Sequence, residues 1–285
     1  MKKTKYTAIE VDVDRGVGIV WLNRPELHNA FNETMIAELT RAFTEIDRDP
    51  RVRAMVLGAN GKSFCAGADL NWMKKMSGYS FEQNFADAQA LAGMMQTLNG
   101  MKKPTIARVH GAVYAGGMGL VAACDIAIAA QDVEFCLSEA RLGLSPATIS
   151  PYVIAAMGAR HARRYFLTAE RFTAAEAFRI GFVHDIVLGD ELDRRIGELL
   201  GDLLKTGPNA VVACKELVRD VAGSKIDLDL IKDTATRIAT IRATDEGREG
   251  IRAFLEKRKP AWVEPAKASP TGAKPAAKKV RKKSK

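Results

Sequence analysis

The sequence predicts an α/β protein, with a parallel-rich core followed by a C-terminal helical module. Three observations predict it. Up to about residue 190, short apolar runs of strand length alternate with longer amphipathic segments. Residues 190–258 are then helical in pattern almost throughout. The 285 residues, 47% hydrophobic and 27% charged, also suffice for one large domain, or one domain with an appendage. The expected organisation is a core over 1–190, a helical region over 191–260 and a basic tail over 261–285.

The elements follow in order. YTAIEVDV (6–13) and VGIVWL (17–22) flank the turn signal DRG and predict a hairpin. NRPELHNAFN (23–32) is a loop closing on Asn32, placed to cap the amphipathic helix ETMIAELTRAFTEIDRD. RAMVLGA (53–59) is a short apolar strand, followed by the small-residue loop NGKSFCAGADL, and residues 81–100 have helical spacing. Pro104 opens the strand TIARVHG.

Residues 111–130 carry a single charge, Asp125, and are long enough to raise the question of a membrane span. A carboxylate at mid-span costs about 2.5–3.5 kcal/mol on insertion scales, and the glycines lower helix propensity. A buried strand-turn-helix-strand passage is therefore expected. Phe135 starts another short strand, and a helix begins at Pro146 or Pro151. GFVHDIVL (181–188) is read as a strand, and three helical stretches run from ELDRRIGELLGDLLKT to FLEKRK.

The net charge of +9 is a property of the tail. Residues 266–285 hold eight Lys/Arg and no acid, leaving 35 of the 43 basic residues to face 34 acids. From Pro265 onward the composition is Ala, Pro, Lys and Ser, too poor in apolar groups to offset the entropy of ordering. Such a tail can neutralise nucleic-acid phosphates, but it lacks aromatic residues to stack on bases, so nucleic acid is a remote partner. Cys65, Cys124, Cys136 and Cys214 have no CxxC spacing, and a reduced, cytoplasmic compartment is expected. The N-terminus has no apolar signal region. The histidines have no ligand spacing, so no metal is expected.

The run AGGMG (115–119) places glycines in an apolar stretch that they can only weaken. It matches neither GxxxxGK[ST] nor a dinucleotide fingerprint. One remaining reading is close packing of a helix on a sheet. The other is a backbone N–H exposed at a helix start, where orphan amides and the helix dipole converge. A second small-residue junction, SFCAGADLNWMKKM (63–76), strengthens the latter. Two such amides aimed at one carbonyl, with an acid nearby, would stabilise an enolate.

The motifs NRPELHNAFN, SFCAGADL, HG…AGGMGL…ACDIAIA and FCLSEARLGLSP, in this order and spacing over about residues 5–260, resemble the enoyl-CoA hydratase/isomerase (crotonase) family. The resemblance implies a crotonase-like spiral of ββα units with a C-terminal helical trimerisation region, assembling as homotrimers or hexamers. It implies an acyl-CoA thioester substrate and no further cofactor. The carbonyl donors would be the amides of Ala68 and Gly116. Ala66, Gly67, Asp69, Leu70, Asn71 and Gly117 would form the surrounding substrate-binding surface. Gly117 is expected to make the turn that exposes Gly116, and Asp69 to order its helix start.

Hydratases of this family commonly carry two glutamates around the double bond. Here the first position is Gly119 and the second is Glu139. On its own, Glu139 would be read as a solvated acid paired with Arg141 or Arg108; its place after FCLS favours catalysis. His28 and His110 are read as structural, and Trp72, Met73 and Met76 as pocket or core. The segments SEARLGLSPATISPYVIAAMGARHARRYFLT and SFCAGADLNWMKKM resemble methylglutaconyl-CoA and isohexenylglutaconyl-CoA hydratases, where Gly also replaces the first glutamate. Arg141 is a candidate partner for a distal substrate carboxylate. The family's lysine near the CoA phosphates is Glu26 here, leaving Lys74, Lys75 or Lys257 as candidates for that contact.

Overall fold

The computed structural model describes residues 6–263, so the expectations for the basic tail from residue 264 onward fall outside the described residues. β1 (Ile9–Asp14) and β2 (Val17–Leu22) form the expected antiparallel hairpin. Asn32 caps α1 (Glu33–Arg48), its side chain accepting the Met35 N–H at 2.9 Å. β3 (Ala54–Ala59) is buried along its whole length, as a strand with parallel partners on both edges should be. Next come α2 (Leu70–Met76) and α3 (Phe81–Asn99), the latter opened by a Ser80/Gln83 capping box. The apolar stretch resolves as predicted into β4 (Thr105–Val109), β5 (Ala112–Tyr114), α4 (Gly116–Ala123) and β6 (Ile126–Ala130).

β7 (Glu134–Cys136) precedes α5 (Ser150–Thr168), which has Pro151 in its first turn and does not begin at Pro146. β8 (Arg171–Thr173), α6 (Ala174–Arg179) and β9 (Asp185–Val187) follow. GFVHDIVL is therefore a strand only at its end. Gly181 takes φ +76° and residues 181–184 turn, so the apolar Phe182 and Val183 mark a buried turn, not extension. β8 escaped the sequence reading because a three-residue strand with one buried side chain, Phe172, has no period to detect.

One sheet has the order β1-β2-β3-β4-β6-β9, parallel apart from the hairpin, and a smaller one has the order β5-β7-β8. The chain repeatedly gives one strand to each sheet and then a helix, as in β4/β5/α4 and β6/β7/α5. Two earlier turns follow the same path through single bridges, Phe31 with Ala68 and Cys65 with Val113. This is the spiral of ββα units that the motifs imply. Both small-residue loops lie where the chain leaves the second sheet for a helix.

α7 (Leu192–Leu203) packs Leu192 and Ile196 into the core. α8 (Pro208–Val221), α9 (Leu228–Ala243) and α10 (Asp245–Leu255) together bury one residue, Ala253, and expose Val218, Leu228, Phe254 and Leu255. Asp125 anchors α8 by accepting from Lys215 Nζ at 2.7 Å, and it also accepts the Thr105 N–H and hydroxyl. Cys65, Cys124 and Cys136 are buried free thiols, and Cys214 is exposed. Among the described residues no helix is long and apolar enough to cross a membrane.

Candidate active site

The loop after β3 is pinned from both sides. Phe64 and Cys65 N–H donate to His110 and Ala112 carbonyls, and Tyr114 N–H returns to the Cys65 carbonyl. Opposite, Ala66 N–H donates to His28, Phe31 N–H to Gly67 at 2.7 Å, and Asp69 N–H to Phe31. Gly67 takes φ +94°, a conformation that favours glycine, and this leaves the next amide, Ala68 N–H, outside the ladder. The second loop turns at Ala115, whose φ of 48° and ψ of −120° are strained for a residue with a Cβ. Such a conformation costs on the order of 1–3 kcal/mol and is held by surrounding bonds. One of them is Ala115 N–H to the Cys136 carbonyl at 2.9 Å.

The turn leaves Gly116 N–H at the first position of α4. Among the described residues, neither Ala68 N–H nor Gly116 N–H has an acceptor. The residues just before them touch, since a Cβ on Gly67 would lie 3.1 Å from the Ala115 Cβ. Two unpaired donors on adjoining loops, one at a helix N-terminus, suit an oxyanion.

Glu139 begins a 3-10 turn (Glu139–Leu142) three residues beyond the carbonyl that holds Ala115. Gly143 closes the turn at φ +71°, and Leu144 N–H donates to the Glu139 carbonyl. Glu139 Oε2 is buried with no hydrogen-bond partner, and among the described residues it is the one such side-chain oxygen or nitrogen. Burial pushes its carboxyl above the usual carboxylate range, opposed only by its own backbone N–H. Neither of the alternative salt bridges forms: Arg108 pairs with Asp193 at 2.6 Å, and Arg141 is exposed without an ion pair among the described residues.

The other predicted residues divide. Leu70 and Asn71 are exposed, Ala66 is half-buried, and Asp69 and Gly117 are buried. Asp69 orders its helix start as expected, and its carboxylate is committed within the protein. It caps α2 through the Asn71 N–H at 2.8 Å and pairs with Arg24 at 2.7 Å. Burial alone would raise the Asp69 carboxyl, but the Arg24 and Asn71 hydrogen bonds outweigh it and hold it below its ordinary value. The turn expected of Gly117 is corrected by the structure. The turn belongs to Ala115, whereas Gly117 is needed for clearance, since a Cβ there would meet Cys65 Cβ and O at 2.8 Å.

His28 and His110, read as structural, contact Ser63 Oγ and the Gly61 carbonyl. Trp72 is core, donating to Asp87. Lys75 pairs with Glu33 and Lys74 is exposed. A cavity of about 840 Å³ between α1 and α3 touches none of Ala68, Gly116 and Glu139. The candidate site is defined by its donors and its acid, not by cavity size.

Sequence reasoning missed the residues that hold the first loop. Arg24 bridges the Ala30 carbonyl (2.6 Å) and Asp69, while the fully buried Asn29 accepts the Arg24 N–H and donates to Asn60 and Ser63 carbonyls. Their signal was the NRPELHNAFN motif itself. Arg24→Lys keeps the charge but not the fork that spans both partners. The expected result is a loss of about 2 kcal/mol of stability, a Tm lower by roughly 4–8 °C, and kcat reduced more than KM is raised. Thermal melting and steady-state kinetics check this; an unchanged kcat would detach Arg24 from the Ala68 amide.

The spiral of ββα units with helical C-terminus is the fold of crotonase-type enzymes. The chain belongs to the enoyl-CoA hydratase/isomerase family, whose sequence profile matches residues 12–265. It is 31% identical over 261 residues to a crotonyl-CoA hydratase from Syntrophomonas wolfei, covering 90% of this chain and 98% of that one. Among solved structures, an enoyl-CoA hydratase from Shewanella pealeana aligns with TM-score 0.88 and 44% identity, over 90% of this chain and 97% of that one. AtuE of Pseudomonas aeruginosa aligns with TM-score 0.86 and 36% identity, over 90% and 100%.

Proposed function

We propose that the protein is a hydro-lyase that adds water across the 2,3 double bond of a branched 2-enoyl-CoA thioester, of the 3-methylglutaconyl-CoA or isohexenylglutaconyl-CoA type. The observation that carries this reading is the buried, unpartnered Glu139 Oε2, three residues beyond the carbonyl that holds Ala115, together with the unpaired amides of two adjoining loops. The thioester oxygen sits between Ala68 and Gly116 N–H. Ionised Glu139 takes a proton from water as its oxygen bonds to C3. The C2=C3 electrons move to the thioester oxygen, where the amides hold the enolate, and protonated Glu139 returns its proton to C2. Exposed Arg141 is free to meet a distal carboxylate.

The exposed apolar residues of α8–α10 support a homotrimer, or a pair of trimers, built through this region. Leu70, Leu142 and Leu144, exposed beside the candidate residues, fit a site that an acyl-CoA or a neighbouring subunit covers.

A lone glutamate equally supports proton transfer between C2 and C4, which is isomerisation. The test is a panel of 3-methylglutaconyl-CoA, crotonyl-CoA and a 3-enoyl-CoA, read by mass spectrometry. The expected result is a gain of one water, fastest on the branched ester. Conversion of the 3-enoyl ester without mass gain, in the absence of any hydration, would replace the hydratase reading by the isomerase.

A further inference from the structure

Gly119 stands three residues beyond Gly116 on α4, so both lie on one face of the helix, about one turn apart. The space a side chain would need at 119 is already filled. A Cβ there would lie 2.3 Å from Ile149 Cγ2, 2.9 Å from Ile149 Cβ and 2.9 Å from Met95 Cε. Met95 comes from α3 and Ile149 from the residue before α5, and both are buried. The loop joining Glu139 to Ile149 is fixed at both ends. Leu144 N–H donates to the Glu139 carbonyl, and Tyr152 and Val153 N–H donate to the Ile149 carbonyl at 3.1 Å. Ile149 thus connects the helix that carries one candidate amide to the turn that carries the acid.

We propose that Ile149 is a specificity-determining residue. Backed by Met95, it keeps the α4 wall of the acyl site hydrocarbon, excludes a second carboxylate at position 119, and thereby favours enoyl-CoA esters with an alkyl branch on C3. The proposal rests on the hydratase reading above. A carboxylate in that wall would be stripped of solvent by a branch methyl, whereas hydrocarbon against hydrocarbon carries no such penalty. The chemistry is unaltered: a water O–H bond breaks, the C3–O bond forms, and the proton held by Glu139 goes to C2. What Ile149 sets is which C3 substituent fits beside that step.

The test compares kcat/KM on 3-methylglutaconyl-CoA and glutaconyl-CoA, which differ by the C3 methyl, for wild type, Ile149→Val, Ile149→Ala and Glu139→Gln. If the glutaconyl esters are poor substrates, 3-methylcrotonyl-CoA and crotonyl-CoA form the same pair. A methyl in an apolar pocket is worth roughly tenfold or more in kcat/KM. The branched-to-unbranched ratio is therefore expected to fall about tenfold in Ile149→Ala and less in Ile149→Val. Glu139→Gln should depress both substrates together and leave the ratio intact. Ile149→Val keeps the β-branched shape and decides the matter if the alanine variant does not fold. An unchanged ratio in the folded Ile149 variants, with Glu139→Gln depressed on both esters, overturns the role of Ile149 and leaves the hydratase reading standing. A fully active Glu139→Gln overturns the hydratase reading instead.

Discussion

Glu139→Gln is expected to lower kcat by about 10²- to 10⁴-fold while CoA esters still bind, because the amide keeps the shape of the side chain and removes its basicity. The pH dependence follows from the environment of the group. Burial raises the Glu139 carboxyl above the ordinary range, and the base must be ionised to act. Wild-type kcat/KM should therefore fall on the acid side at a pH above that of an ordinary glutamate.

Stability runs the other way. A folded-state pKa raised above the unfolded value means the folded protein holds this proton more tightly. The associated stabilisation is present below the unfolded pKa and is lost as pH rises through the folded one. Above that window the native state carries a charged carboxylate with one buried, unpartnered oxygen. The neutral amide introduced by Glu139→Gln carries no such charge. The variant should therefore melt at a higher temperature than wild type in mildly alkaline buffer, and the difference should vanish in acid below the ordinary carboxylate range. Melting curves at several pH values check the sign. Equal melting temperatures across the range, with normal turnover, would return Glu139 to the status of a solvated acid.

What the sequence revealed of this site depended on whether the signal was local. Asn32 and Asp69 were readable as helix caps because a cap acts on an amide two or three residues away. The junctions at 66–69 and 115–117 were readable because small residues gather where strands meet helices. Ala115 was not readable: alanine gives no warning of a positive φ, and the bond that holds it comes from Cys136. Arg24 and Asp69 are 45 positions apart, and their pairing is set by the fold. Gly119 illustrates the same limit. Its identity pointed to an absent acid, but only the packing of α4 against Ile149 and Met95 shows that the space is occupied. The salt-bridge alternative for Glu139 was likewise decided by the fold: Arg108 goes to Asp193 on α7, and Arg141 forms no ion pair among the described residues.

Gly116→Ala should cost about 10²- to 10³-fold in kcat, the loss typical of removing one oxyanion donor, with a smaller change in KM. A Cβ at 116 would lie 2.9 Å from Phe31 Cε2 and 3.1 Å from Cδ2, closer than a buried ring tolerates. Either α4 shifts and carries the Gly116 N–H off its line, or Phe31 moves. Phe31 is 1% exposed, its N–H donates to the Gly67 carbonyl, and its carbonyl accepts the Asp69 N–H. Moving it therefore disturbs the loop that carries Ala68, so a single methyl group reaches both donors. Because an oxyanion interaction is strongest in the transition state, the loss should appear in kcat, while the binding of a saturated acyl-CoA changes little. Combining Gly116→Ala with Phe31→Leu removes the ring edge and should recover at least about tenfold of the lost rate if the clash is the cause, within the spread of oxyanion-donor effects. Near-wild-type kcat in folded Gly116→Ala would mean that the first amide of α4 does not hold the thioester oxygen, and the donor pair would have to be sought elsewhere.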